Sequence, residues 1–423
     1  MPRAPARFAS LATIAALVPA TLAIGAEGEP AAPSPAAAAV GWPVGQFPHV
    51  PANFRVTAYA RDLDGPRALL VLPNGDVLVA ESRGADDGKP SANRVTLLKD
   101  STGAGVADTR FALVTDLDRP SALALRRDRL YIANTNAIVG CPFLVGQTRL
   151  HGDCHEFAEL AAAAGHDHWM RPLAVSPDET RLVVGVGSSG QDTSDNRDRT
   201  DPERAVVLGL GELRERRTLA TGVRDPSGLG FEPASGRLYA TVRERALPSG
   251  ERVADYLARI QDGAFYGWPY AYLGHHEDPR HAGEHPELVA RSRAPELEFP
   301  PGSAPTALVF YGRDHFPKGY RGAAFVALGG PLEGTPVGFR VVSVPFADGK
   351  PSGPPADFVT GFTGEVDGNP RFYGRPSALA IATDGTLLIA DDLAGIVWRV
   401  TFKCAACTPD PIIEHRHVKR PDR

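Results

Sequence analysis

One pattern of apolar and polar positions recurs six times along the chain. Each copy opens on a small residue or proline followed by a short apolar run, crosses a polar turn, and returns as an apolar, β-rich strand. The first copy is Pro66-Arg67-Ala68-Leu69-Leu70, turn Asn74-Gly75, strand Val77–Ala80. The second is Pro120-Ser121-Ala122-Leu123, turn Arg127-Asp128, strand Leu130–Ala133. The third runs from Arg171-Pro172-Leu173 through Pro177-Asp178 to Leu182–Val184, and the fourth from Pro226-Ser227-Gly228-Leu229 through Ser235-Gly236 to Leu238–Ala240. The fifth, more diverged, is Pro305-Thr306-Ala307-Leu308 with Ala323–Val326. The sixth is Pro376-Ser377-Ala378-Leu379, turn Asp384-Gly385, strand Leu387–Ala390. Asn-Gly and Asp-Gly supply the positive φ angles of tight hairpins, and the flanking runs have the composition of buried strands. One hairpin cannot bury both its faces, so the copies must stack. A repeat of about 50 residues with room for four strands is a propeller blade. The pattern predicts an all-β, six-bladed β-propeller over residues 46–403. A β-sandwich would not require six versions of one unit. Only His155 to Gly165 has the look of an amphipathic helix.

The ends read differently. Arg3 and Arg7 precede an apolar stretch from Phe8 to Ile24, and Ile24-Gly25-Ala26 offers a cleavage site, so residues 1–26 have the layout of a signal peptide. Pro19 interrupts that stretch, which is short for a membrane span. Residues 27–45, rich in Ala and Pro, read as a flexible leader, and 404–423 as a C-terminal tail. The chain is expected to be periplasmic or secreted. It carries 45 basic and 50 acidic side chains, a formal net charge of −5. This mildly acidic balance argues against nucleic acid or an anionic membrane as a partner. Four cysteines in an exported chain favour two local disulfides, Cys141 with Cys154 and Cys404 with Cys407. No His follows Cys407, so the pair is not a haem-attachment motif.

Between the second and third copies lies His166-Asp167-His168-Trp169-Met170-Arg171, on a loop leading into a strand. Working residues favour loops held by a rigid scaffold. Three readings stand open: a metal site built on His-x-His, a general base oriented by the neighbouring Asp, or rings that cap turns. The histidines at 275, 276, 281 and 285 sit in a polar stretch that reads as solvated loop.

From Asp167-His168 through Pro177-Asp178 to Val186-Gly187-Ser188-Ser189-Gly190, the chain resembles the glucose/sorbosone dehydrogenases, soluble propeller enzymes that use pyrroloquinoline quinone. Gly222–Leu229 is similar to that family's Arg-Asn-Pro-x-Gly-Leu segment. Asp262-Gly263-Ala264-Phe265-Tyr266-Gly267-Trp268-Pro269 is similar to its Gly-x-Tyr-Gly-Trp-Pro signature, and Tyr320–Ala327 and Gly374–Asp392 extend the likeness. The resemblance implies oxidation of a sugar at C1, with His168 as base, Asp167 polarising it, Arg224, Asp225 and Arg375 at the cofactor, and an external electron acceptor. It further implies calcium held by backbone carbonyls of the loop 243–247, with Ala246 and Leu247 at the carbonyl positions. Tyr266 to Pro269 reads as packing.

Departures from the family fall on the same loops. Asp225 stands where the family has Asn, Arg243-Glu244-Arg245-Ala246 replaces a more usual Asn-Glu-Arg-Asp, and Leu328–Gly334 lacks a polar run. Two other functions therefore stay in view: a calcium-dependent lactonase or esterase, and a non-catalytic propeller that binds carbohydrate or protein.

Overall fold

The computed structural model describes residues 40–84, 90–161, 168–190, 201–212, 215–331, 336–366 and 369–403. The proposed signal peptide and the Cys404–Cys407 pair lie outside them. Each of the six copies forms the inner hairpin of one blade. The inner strands are Pro66–Val71, Ala122–Arg126, Leu173–Val175, Pro226–Phe231, Pro305–Phe310 and Pro376–Ile381. Each pairs antiparallel with the apolar strand returning from its turn. Two outer strands complete each blade, and blade three gains a fifth from Ala264–Phe265. The second strands, such as Val77–Glu81 and Leu387–Asp391, are buried at every position. Neighbouring blades cover both their faces, which explains their unbroken apolar runs.

The outer strands carry a weaker pattern. His155–Glu159, part of the stretch with helical character, is the outer strand of blade two. Its polar residues lie on an exposed edge, so glutamates at helical spacing gave a misleading period. The ring closes through the chain's own start: Phe54–Ala60 pairs antiparallel with Ile396–Phe402 as the outermost strand of blade six. Trp398, wholly buried in that blade, is worth about 3–5 kcal/mol against alanine.

The repeated prolines and hydroxyls have a packing role. Pro66, Pro120, Pro305 and Pro376 each offer a carbonyl to a side chain of the preceding blade. Ser377 Oγ donates to the Pro66 oxygen (2.6 Å), Ser82 Oγ to Pro120 (2.7 Å), Arg243 Nε to Pro305 (2.8 Å) and Thr306 Oγ1 to Pro376 (2.9 Å). The Arg171 amide donates to Ser121 Oγ (2.9 Å) between blades two and three, and the Ser188 amide to the Arg224 oxygen (2.7 Å) between three and four. Every blade interface thus has a polar stitch, each worth about 1 kcal/mol.

Part of the leader is ordered rather than loose. The Trp42 indole donates to Asp391 (2.8 Å) and packs edge-on against Phe362 and Trp398. Cys141 and Cys154 form the expected disulfide across 13 residues, a loop closure worth about 3 kcal/mol.

Candidate functional site at the channel mouth

Equivalent residues of all six inner strands line the central channel, from Arg67, Ser121, Pro172, Ser227, Thr306 and Ser377 inward. Its cavity of about 100 Å³ is small beside the ~300–1,000 Å³ of ordinary ligand pockets, which directs attention to the mouth. The mouth is formed where each inner strand begins and each second strand ends, and in blades two, three, four and six a charged residue precedes the leading proline: Arg119, Arg171, Asp225 and Arg375.

His168 stands at this rim. Its φ of 46° is in the left-handed region that residues with a Cβ rarely adopt. Arg171, wholly buried, holds the turn: Nη1 donates to the oxygens of His168 (2.5 Å) and Met170 (3.0 Å), and Nη2 to Ala161 (3.0 Å). Burial, with Arg204 nearby, lowers the Arg171 pKa to about 10, so it stays charged at neutral pH. Gly187 makes room on the other side. A Cβ there would lie 2.6 Å from His168 Cβ and 3.1 Å from Asp225 Oδ1, which is why a glycine is required.

The hydrogen bonds fix the tautomer. His168 Nδ1 lies 2.8 Å from Ser188 Oγ and 3.2 Å from the Ser188 carbonyl oxygen. A carbonyl can only accept, and the Ser188 hydroxyl donates its own hydrogen to the Gly190 oxygen (3.0 Å). Nδ1 therefore carries the proton and Nε2 the lone pair, an assignment made from the network. Nε2 faces Asp225 Oδ2 at 3.8 Å, and both side chains are nearly inaccessible. Burial lowers the His168 pKa, Arg224 and Arg243 push the same way, and Asp225 and the Ser188 carbonyl oppose them. The ring is neutral at neutral pH, with a basic nitrogen opposite a carboxylate that favours its protonated form. Asp225 Oδ1 is buried with no hydrogen-bond partner, an unfilled acceptor that native interiors rarely tolerate without purpose.

The other expected residues spread around the rim. Asp167 lies outside the described residues. Arg375 clasps Asp392 through Nε (2.9 Å) and Nη2 (2.6 Å), and Arg67 reaches the same carboxylate (2.6 Å). Burial works to raise the Asp392 pKa, but the two arginines prevail and hold it low. Arg67 and Arg119 also lie over the Trp169 ring, 5.6 and 5.9 Å from its centroid. Arg224 is placed differently from the expectation. Its guanidinium is buried beside Trp268, 5.2 Å from the ring centroid, and Nη1 donates to the carbonyls of Arg243 (3.2 Å) and Glu244 (3.0 Å). Ala246 and Leu247 already have donors on their oxygens: Arg280 Nη2 at 2.8 Å and the Gly250 amide at 2.9 Å. Tyr266 and Trp268 are buried, as packing residues should be.

The histidine-rich stretch is more structured than a solvated loop. His276 stacks on Tyr272, His285 packs on Tyr270, and His281 is buried. Among the described residues no three His, Cys, Asp or Glu side chains are grouped to hold a metal. Sequence reasoning missed three working parts of the site: Ser188 as the tautomer-setting partner, Arg171 as the clamp, and Asp225 as the carboxylate opposite the imidazole. Arg171 and His168 are close in sequence, Ser188 comes from the same blade, and Asp225 meets them from blade four.

Comparison with known proteins agrees with this architecture. Residues 133–330 match the family described as Glucose / Sorbosone dehydrogenase. The holo pyranose dehydrogenase PQQ domain of Coprinopsis cinerea superposes with a TM-score of 0.68 at 18% identity, covering 84% of this chain and 97% of that one. The calcium structure of a Trichoderma reesei Carbohydrate-Active Enzymes Family AA12 protein gives 0.68 at 17%, with the same coverage. An uncharacterized protein of Borreliella burgdorferi is 22% identical over 307 residues, 69% of this chain and 78% of that protein. The structural likenesses speak for the fold: the chain is a six-bladed β-propeller, and its residues 133–330 are similar to the Glucose / Sorbosone dehydrogenases.

Proposed function

We propose that the chain is an exported quinoprotein oxidoreductase that oxidises the C1 position of a sugar, an aldose, pyranose or sorbosone-like compound, with pyrroloquinoline quinone as cofactor and an external electron acceptor. The observation that carries this reading is His168: a neutral, desolvated imidazole at the channel mouth whose proton is fixed on Nδ1 and whose basic Nε2 faces a carboxylate. The Cys141–Cys154 disulfide supports an oxidising compartment.

The donor set suits an organic polyanion. Arg67, Arg119 and Arg375 ring the mouth with side chains 11%, 14% and 15% exposed, and guanidinium forks bind carboxylates in two places. These three would hold the quinone's carboxylates. The bound quinone supplies a two-electron acceptor for the hydride leaving C1. The protein's share is the proton. His168 Nε2 takes it from the C1 hydroxyl, the Nδ1–H to Ser188 keeps the ring oriented, and Asp225 stabilises the resulting imidazolium. Arg171 and Gly187 hold the ring where this transfer can occur. The carbonyls of Ala246 and Leu247 do not fit calcium, because each already accepts a donor, one of them a guanidinium.

Ser188, His168 and Asp225 together invite comparison with a hydrolytic triad. The Ser188 hydroxyl donates to Gly190 and accepts from His168 Nδ1–H, so the imidazole cannot take its proton, and the oxidoreductase reading is preferred. The test is to add the quinone to purified protein, follow its absorbance, and measure sugar-dependent dye reduction. The protein should reduce dye, and His168→Ala should lower turnover by 10³-fold or more, on the order expected of a general base, with quinone binding and melting temperature preserved. Near-normal turnover in the variant removes His168 from the mechanism, and quinone-independent lactone hydrolysis replaces the reading outright.

A further inference from the structure

The loop 243–247, where the family resemblance expects calcium, has all five of its carbonyl oxygens engaged. Arg243 and Glu244 accept from Arg224 Nη1 at 3.2 and 3.0 Å, Arg245 from the Val253 amide at 2.9 Å, Ala246 from Arg280 Nη2 at 2.8 Å, and Leu247 from the Gly250 amide at 2.9 Å. Three of the five therefore face a guanidinium. The carboxylates nearby are committed as well. Asp278 lies 2.9 Å from Arg245 Nε and 3.4 Å from Arg280 Nη1, and Glu244 lies 3.5 Å from Arg245 Nη1. Asp255 accepts the amides of Glu244 and Ala304, both at 2.8 Å.

From this arrangement we infer that the loop 243–247 does not hold the calcium of the family resemblance, and that the protein folds and binds its cofactor without a metal there. A divalent ion here would need several oxygens at about 2.3–2.6 Å, and it would meet a like-charged side chain on the Ala246 oxygen. Arg280 supplies positive charge at that oxygen, and Arg224 at the neighbouring oxygens of Arg243 and Glu244. Arg245, buried between Trp268 (4.8 Å to the ring centroid) and Tyr272 (5.8 Å), adds to it. Of the departures at 243–246, Ala246 in place of an Asp leaves the loop one carboxylate poorer. The inference rests on the proposed function only for the identity of the loop, and the occupancy of the carbonyls stands without it.

The test uses the full chain, stripped with EGTA, passed through gel filtration in millimolar calcium and then analysed for metal, with thermal denaturation in calcium and in EGTA. We expect no stoichiometric calcium after filtration and the same melting temperature in both, because a ligand bound only to the native state must raise it. One calcium per chain with a higher melting temperature than in EGTA overturns the inference. Pyrroloquinoline quinone is then added in EGTA. Binding of equal extent with and without calcium supports the inference, and binding that requires calcium overturns it. If quinone binds under neither condition, the proposed function falls, and the metal analysis alone still decides the inference.

Discussion

Asp391 and Asp225 are both buried at the mouth of the propeller, one at the end of a second strand and one at the head of an inner strand, yet their surroundings differ sharply. Asp391 accepts four donors: the indoles of Trp42 (2.8 Å) and Trp398 (3.1 Å) and the amides of Arg375 (2.9 Å) and Ala394 (3.1 Å). Asp225 leaves Oδ1 without a partner and points Oδ2 at an imidazole 3.8 Å away. A carboxylate with its acceptors filled ties elements together. One with acceptors left open holds free energy in reserve for a group that arrives later. Blade six is therefore built for cohesion and the junction of blades three and four for chemistry.

The contrast can be broken from either side. The largest effect is expected at Asp391. Asp391→Ala strands two indole and two backbone N–H groups, and chemical denaturation should show a loss of about 3 kcal/mol or more. A loss under 1 kcal/mol would mean that blade six does not depend on this hub. Gly187→Ala comes next. The added methyl group must push His168 and Asp225 apart, lowering turnover about 10–100-fold, as a small misplacement of catalytic groups does, with a stability cost of about 1–3 kcal/mol. A variant with normal kcat would show that the close packing is incidental. The smallest stability effect belongs to Asp225→Asn, expected within about 1 kcal/mol. Its signature is pH dependence. Asp225 raises the His168 pKa against burial, so removing its charge should lower that pKa further and move the acid limb of kcat/KM to lower pH. A limb that stays put, or moves up, separates Asp225 from His168.

The parts of this architecture that the sequence made legible share one physical trait. The inner hairpins could be read because two covered faces force continuous apolar runs, and because turns such as Asn74-Gly75 and Asp384-Gly385 need residues that tolerate positive φ. Outer strands lack that signature. His155–Glu159 is half exposed and its charges fell at a helical spacing. Trp42 was hidden in a leader whose Ala and Pro content suggested a loose chain, although one aromatic with a buried acceptor suffices to anchor it. In the candidate site, the motif drew attention to His168 and Arg375, and both lie at the rim. The opposition of Asp225 to His168 depends on the angle between two blades, which no local pattern encodes. Arg224 turns toward the 243–247 carbonyls within blade four, across two strand ends some 20 residues apart in sequence.

The closing strand has a consequence for how the chain reaches its final state. Phe54–Ala60 can pair only when Ile396–Phe402 exists, so during synthesis this segment must wait for one far downstream. Joining such distant segments is entropically slow. Until it happens, the rings of Phe316 and Phe358, which Phe54 covers, stay open to other chains. Truncation before Ile396 should therefore yield a sticky, incomplete toroid rather than a smaller stable one.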